Sequence, residues 1–135
     1  MDETKAQELY ARFMELQEQV KNLEDHFQGM QEQLRNIEKT RETILELEKL
    51  DGEKETWIPI APGAYSKATV NPVRTILLHI GANIAVEKEP AEVMKTLNDH
   101  KAVLEELSEA TIKEIQEVLA EVETIKQTVE TSEQK

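Results

Sequence analysis

The sequence contains no cysteine, and only four of its 135 residues are glycine and four are proline. Without cysteine, the chain forms neither a disulfide framework nor a thiolate metal site. No apolar run approaches the roughly 20 residues that a helix needs to cross a bilayer. The first ten residues, MDETKAQELY, are polar and acidic, unlike a signal peptide. We therefore expect a soluble, cytoplasmic protein with no membrane partner.

Positive charge is scarce as well. The chain has 16 Lys and Arg against 28 Asp and Glu, a formal charge of −12. Because a basic stripe is needed to neutralise phosphates, this balance argues against a nucleic-acid partner. The three histidines, His26, His79 and His100, are scattered without the spacing of a metal site, and no phosphate-binding loop or nucleophile motif is present. We expect no metal, no cofactor and no enzymatic activity.

Helix-forming residues and helix-breaking residues occupy different parts of the chain. Residues 3–50 and 90–132 are rich in Glu, Gln, Lys and Leu, whereas residues 51–89 hold most of the proline and glycine and the β-branched runs. We interpret residues 1–135 as a single domain. It comprises an N-terminal coiled-coil arm at 3–50, two β-hairpins for oligomerisation at 51–89, and a C-terminal coiled-coil arm at 90–132.

The N-terminal arm carries a heptad repeat of apolar residues. Its a and d positions alternate in spacings of four and three over five heptads, which is typical of a coiled coil. These positions hold Leu9, Phe13, Leu16, Val20, Leu23, Phe27, Met30, Leu34, Ile37 and Ile44, with Arg41 in the one polar place.

The C-terminal arm repeats the pattern less strictly. Its seam consists of Met94, Leu97, Lys101, Leu104, Ser108, Thr111, Ile115, Val118, Val122, Ile125 and Val129, and it is flanked by Leu107, Ile112 and Leu119. A helix of 48 residues is about 70 Å long, whereas a compact domain of this size has a radius of gyration of about 14 Å. We therefore expect the two arms to pair as an antiparallel coiled-coil hairpin.

Both seams fit one register, in which the numbers of paired residues add up to about 138. This register predicts polar layers that pair Met30 with Ser108 and Ile37 with Lys101. Such layers fix the register of a coiled coil at some cost in stability. A shift by one heptad also aligns the two seams, but the first register brings both arms to the insert together.

The insert has the pattern of four short strands, at about residues 56–60, 64–70, 74–80 and 83–88. Ala61-Pro62-Gly63 and Gly81-Ala82 are the expected turns. Gly52 is expected to end the first helix in a left-handed conformation, and Pro90 to begin the second helix.

Two hairpins of this size are marginally stable alone, so we expect their edges and faces to be covered in an oligomer. Ile76, Leu78 and Ile80 alternate on one face of their strand, as Ile84 and Val86 do on the next. The residues expected at the oligomer interface are Trp57, Ile58, Ile60, Tyr65, Val70, Ile76, Leu78, Ile80, Ile84 and Val86.

The insert resembles the two-hairpin segment of the alpha-class subunits of archaeal-type prefoldin. The resemblance rests on WIPIAPGAYSKATV (57–70) and TILLHIGANIAVEK (75–88). Within them, the matching motifs are Ile58-Pro59-Ile60, Pro62-Gly63, Ile80-Gly81 and Val86-Glu87-Lys88. Beta-class subunits of the family carry one hairpin, so two hairpins indicate the alpha class. Glu89-Pro90 departs from the small polar cap expected before the second arm.

The resemblance implies a function as well as a fold. It implies an ATP-independent chaperone, in which two alpha and four beta subunits form a hexamer with a common β body. The coiled-coil tips of such a chaperone hold non-native polypeptides and deliver them to a group II chaperonin. The alternative is a structural coiled-coil scaffold or tether that binds one folded partner.

The free end of the coil is where this family would bind its substrates. The residues that we expect to bind them are Leu9, Tyr10, Phe13, Met14, Ile125 and Val129. Tyr10 and Met14 lie beside the seam and are not needed to pack it, and methionine and aromatic side chains suit contacts with varied partners. Without the resemblance, fraying of the helix ends explains the same pattern equally well.

Overall fold

The computed structural model describes residues 2–133, which form two long helices with two β-hairpins between them in sequence. The elements are α1 (Glu3–Glu48), β1 (Lys54–Ala61), β2 (Ala64–Val70), β3 (Ile76–Gly81), β4 (Ile84–Lys88) and α2 (Pro90–Glu133). This order confirms the predicted mainly α fold with a central insert of two hairpins. The chain divides into two compact units, one built from residues up to Leu34 and from Ala102 onwards, and the other from Arg35–Lys101.

The helix ends follow local chemistry. Asp2 caps α1, because its Oδ1 accepts a hydrogen bond from the Lys5 backbone N–H at 2.7 Å. Pro90 is the first residue of α2, as predicted, in the position where no backbone N–H is required. Gly52 has a positive φ of 118°, but α1 has already ended at Glu48. The glycine therefore turns the connection to β1, and the prediction that it ends the helix is wrong.

In the first unit, the heptad residues of α1 and α2 pack into a continuous core. The buried residues Leu16, Val118, Val122 and Ile125 form its centre, and Leu9, Phe13, Val20, Leu23 and Val129 pack against them. Further along the seam, the Ser108 hydroxyl donates to Met30 Sδ at 3.9 Å. This contact confirms the predicted register, in which Met30 faces Ser108.

In the second unit, the helices bury Ile37, Ile44 and Val93. The sequence pattern placed Met94 in this seam, but Met94 is only half-buried and Val93 is the buried residue. The seam shifts by one residue because a straight helix of 3.6 residues per turn drifts away from a strict seven-residue repeat.

A polar cluster interrupts the seam of the second unit. Arg41 Nη1 lies 2.8 Å from Glu38 Oε2, and Lys101 Nζ lies 3.6 Å from the same oxygen. The hydrogen bond from Arg41 holds the pKa of the Glu38 carboxyl below its ordinary value, and the charges of Arg41 and Lys101 act in the same direction. The cluster thus joins α1 to α2 next to the predicted layer of Ile37 and Lys101.

The hairpins are two separate two-stranded antiparallel sheets. In the first, Trp57 pairs with Lys67 and Ile58 with Ser66, and in the second Leu78 pairs with Val86. Ala82 and Asn83, with φ of 50° and 61°, form the second turn, so the predicted Gly81-Ala82 turn is displaced by one residue. Two consecutive positive φ values are typical of the type I′ turns that match the twist of a hairpin.

Candidate functional site

A groove of about 670 Å³ lies between α1 and α2 at the chain-terminal end of the first unit. Its apolar lining consists of Leu9, Phe13, Ile125 and Val129, which the heptads of the two helices bring opposite each other. The seam continues into the groove, where Leu9, Phe13 and Val129 are only half-buried, whereas Leu16, one heptad after Leu9, is fully buried. The helices therefore leave apolar surface open at this end.

The groove brings together five of the six residues that the sequence indicated. Tyr10 lies at its α1 rim with 66 % of its surface exposed, whereas Ile125 is only 8 % exposed and belongs to the core beneath it. Met14 is exposed one turn after Tyr10, outside the groove. Tyr10 and Met14 thus present apolar surface to solvent, and Ile125 mainly supports the helix pair.

The α2 rim of the groove carries charge. Lys126, Glu130 and Glu133 line this rim, and all three side chains are exposed. Among residues 2–133, neither Glu130 nor Glu133 forms an ion pair. Two carboxylates therefore face solvent beside apolar surface.

Arg12, which precedes the groove residue Phe13 in α1, is already engaged. The Arg12 side chain donates to Glu121 Oε1 from Nε and from Nη2, both at 3.2 Å, and to Glu15 Oε2 at 3.1 Å. The hydrogen bonds to Glu15 and Glu121 raise the pKa of Arg12 above its ordinary value. Its charge is thus shared between two carboxylates that do not line the groove.

A second, smaller groove of about 340 Å³ lies further along the same unit. Its apolar part consists of Val20, Leu119 and Val122, and its polar lining includes Lys21, Glu24 and Lys126. Lys126 lines both grooves. The two grooves therefore meet at Lys126.

The hairpins of the second unit expose a second set of apolar side chains. Of the ten residues predicted at an oligomer interface, Val70, Ile76, Leu78 and Val86 are half-buried, and the other six, Trp57, Ile58, Ile60, Tyr65, Ile80 and Ile84, are exposed. Ile80 does not continue the alternation of Ile76 and Leu78, because the strand register shifts between His79 and Gly81.

The exposed face of the first hairpin combines an aromatic ring with charges. Lys67 Nζ lies 5.8 Å from the centroid of the Trp57 ring and 3.3 Å from Glu55 Oε2. These contacts orient Trp57 across its strand pair while its ring remains exposed. Such a surface has the composition of a protein interface, in which aromatic residues are enriched.

Neither a metal-binding cluster nor a membrane-spanning helix is found among the described residues. Within 2–133, no three His, Asp or Glu side chains are grouped so as to hold a metal ion. In the same part of the chain, neither helix is long and apolar enough to cross a membrane.

Comparison with known proteins decides the family. The family model described as Prefoldin subunit matches residues 16–135. The prefoldin subunit alpha of Methanococcoides burtonii is 30 % identical over 125 residues, which cover 90 % of this chain and 91 % of that protein. The chain belongs to the prefoldin family, in its archaeal-type alpha class.

Other prefoldins agree with this assignment. The prefoldin subunit alpha of Archaeoglobus fulgidus is 26 % identical over 133 residues, which cover 98 % of this chain and 97 % of that protein. The cryo-EM structure of filamentous PFD from Methanocaldococcus jannaschii has the same fold, with a TM-score of 0.70 at 18 % identity over 88 % of this chain and 96 % of that one. As a prefoldin, the chain is a chaperone-type subunit.

Sequence reasoning missed several residues of this prefoldin chain. Leu77 is 68 % exposed on β3, although the alternation of Ile76 and Leu78 directed attention to the opposite face. The available signal was the uninterrupted run Ile76-Leu77-Leu78, which is typical of a strand with partners on both faces. Glu130 and Glu133 were also missed, and their signal was their position beside the seam residue Val129.

Proposed function

We propose that this chain is the alpha subunit of an ATP-independent chaperone that holds non-native polypeptides in the groove between Leu9 and Val129. The observation that carries the proposal is this groove, whose apolar lining is open to solvent next to the exposed Tyr10 ring. Apolar burial is non-directional, so such a surface binds many unfolded sequences without needing one shape. Exposed Met14, one turn away, adds a flexible side chain that adapts to different contacts.

The hairpins would join the chain to beta-class prefoldin subunits in the cytoplasm. The exposed Trp57, Ile60, Tyr65, Leu77 and Ile80 support this part, because two isolated two-stranded sheets need covering to be stable. The family resemblance suggests two alpha and four beta chains, and delivery of the held polypeptide to a group II chaperonin. No step of this function needs a cofactor or an enzymatic reaction.

The test is protection of unfolded proteins from aggregation. Two unrelated proteins are diluted from denaturant into wild-type chain or the Tyr10→Ser/Met14→Ser variant, at equal concentrations of assembled oligomer and without ATP. We expect wild type to suppress the aggregation of both proteins, and the variant to be several-fold weaker on both.

A matched control removes exposed apolar surface elsewhere on the same unit. Val103 and Leu107 are exposed and do not line the groove, so Val103→Ser/Leu107→Ser should protect as well as wild type. Equal protection by wild type and the Tyr10/Met14 variant would contradict the proposed site. Loss of protection on changing Ile112 and Leu119 would then place binding along the side of the coil. A wild-type chain that protects neither protein would favour the scaffold function instead.

A further inference from the structure

The two rims of the groove differ in chemistry: one is aromatic and the other is acidic. The α1 rim presents the exposed ring of Tyr10, and the outer α2 rim presents the exposed carboxylates of Glu130 and Glu133. Residues three apart on a helix lie on the same face, so these two carboxylates are neighbours. An aromatic ring and a pair of carboxylates both attract a cation.

From this arrangement we propose that the groove selects polypeptide segments in which apolar side chains are flanked by Lys or Arg. The apolar side chains would lie against Leu9, Phe13 and Val129, and the cationic group would lie between Tyr10 and the two carboxylates. The inference rests on the proposed function and specifies the chemical class of polypeptide that the groove binds.

The charge around the groove supports this choice. The segments 2–14 and 121–133, which hold the groove, contain seven acidic residues and three basic ones. One of the basic residues, Arg12, is bound to Glu15 and Glu121. The surroundings therefore add to the attraction for a cation instead of cancelling it.

Lys126 sets the orientation of the bound segment. It lies where the first groove meets the second, whereas Glu130 and Glu133 follow it towards the helix end. Because Lys126 repels a second cation, the basic residue of the segment belongs at the outer end of the groove, beside the carboxylates. The apolar residues then extend inwards towards Leu119.

The test uses the full-length chain and three labelled peptides that share the same apolar residues. Their flanking residues are lysine, serine or glutamate, and binding is followed by fluorescence anisotropy. We expect the lysine-flanked peptide to bind about three- to ten-fold more tightly than the serine-flanked one, because exposed ion pairs with two carboxylates contribute only modestly to affinity. The glutamate-flanked peptide should bind most weakly. The preference should nearly vanish at about 0.5 M NaCl, because salt screens exposed charges.

Two variants with the same change in net charge separate the groove from the rest of the acidic surface. Glu130→Gln/Glu133→Gln should lose the preference for the lysine-flanked peptide and retain affinity for the serine-flanked one. Glu109→Gln/Glu117→Gln removes two exposed carboxylates on α2 that do not line the groove, and should keep the preference.

The outcomes distinguish this inference from the function on which it rests. Equal binding of all three peptides by wild type would overturn the charge selection and leave the chaperone function intact. An equal loss of preference in both variants would also overturn it, since overall charge would then be responsible. A wild-type chain that binds none of the peptides would contradict the proposed function itself.

Discussion

Ser108 is buried between α1 and α2, where its hydroxyl donates to Met30 Sδ at 3.9 Å and accepts from Gln31 Nε2 at 3.4 Å. A small polar residue thus occupies a buried place in the seam of the kind that Leu104 and Val118 fill elsewhere on α2. The layer fixes which residues of the two helices face each other, because a shift by one heptad would bury the hydroxyl without these partners.

Replacing this residue should raise stability at the expense of register. Ser108→Val exchanges a hydroxyl for apolar groups in a buried position, and we expect a gain of about 1 kcal/mol in the free energy of unfolding. The measurement is chemical denaturation followed by circular dichroism. Thr111→Val, at a half-buried position of the same seam, is the control and should change stability less. A loss of stability in Ser108→Val would mean that the two hydrogen bonds outweigh apolar burial in this layer.

Replacing a leucine by alanine should lower the free energy of unfolding much more in the core of the coil than on its exposed flank. Leu16 is 1 % exposed, whereas Leu119 is 47 % exposed in the same unit. Leu16→Ala should lower the free energy of unfolding by about 3 kcal/mol, since it leaves a cavity in a packed core. Leu119→Ala should cost less than about 1 kcal/mol. Similar losses in the two variants would show that Leu119 is covered by another chain in solution.

The heptads predicted the two helices, and the position of the insert at the end of both arms selected one register from those that align the seams. Met30 and Ser108 are the clearest instance, since the predicted layer and the observed contact between the helices agree. The two hairpins also followed from local signals, since proline, glycine and β-branched residues are concentrated between the arms. Periodicity and turn chemistry are encoded locally, so a single sequence reveals them.

Details that depend on neighbouring strands or helices could not be predicted from these local signals. Ala82 takes a positive φ of 50°, which a residue with a Cβ disfavours, so Gly81 was the natural but wrong choice for the turn. The exposure of Leu77 likewise follows from strand pairing and not from its own side chain. The position of Glu130 and Glu133 beside Val129 was a weak signal, and the groove that they line forms only when α1 lies opposite.

Acid should weaken the second unit through Glu38. Because its pKa is lower in the folded chain than in the unfolded one, the charged carboxylate stabilises the fold above the unfolded pKa. That contribution is lost as the pH falls through the folded pKa. Arg41→Gln removes the guanidinium that donates to Glu38. The pKa of Glu38 should then rise towards its ordinary value, as measured by NMR titration of the side-chain carboxyl.

The same variant should reduce the pH dependence of stability. Between about pH 6 and pH 3, wild type should lose more of its free energy of unfolding than Arg41→Gln does. Arg35→Gln removes an exposed arginine in the preceding part of α1 and should behave as wild type. An unchanged titration of Glu38 in Arg41→Gln would show that Lys101, and not Arg41, sets its pKa.

Assembly should depend on the hairpins and not on the helices. Ile60 and Ile80 are exposed, one on each hairpin, whereas Leu78 is a poorer probe because it packs opposite Val86 in its own sheet. Ile60→Asp/Ile80→Asp places a charge on each apolar surface, so the native mass should fall to that of the single chain while helix content stays high. Native mass spectrometry with a one-hairpin partner chain and far-ultraviolet circular dichroism measure the two quantities.

The control, Thr69→Asp/Thr75→Asp, adds the same charge at exposed polar positions and should still assemble. If helix content fell together with the mass, the coiled coil would be unfolded in the single chain. The helices would then depend on pairing between chains, which would contradict this prediction.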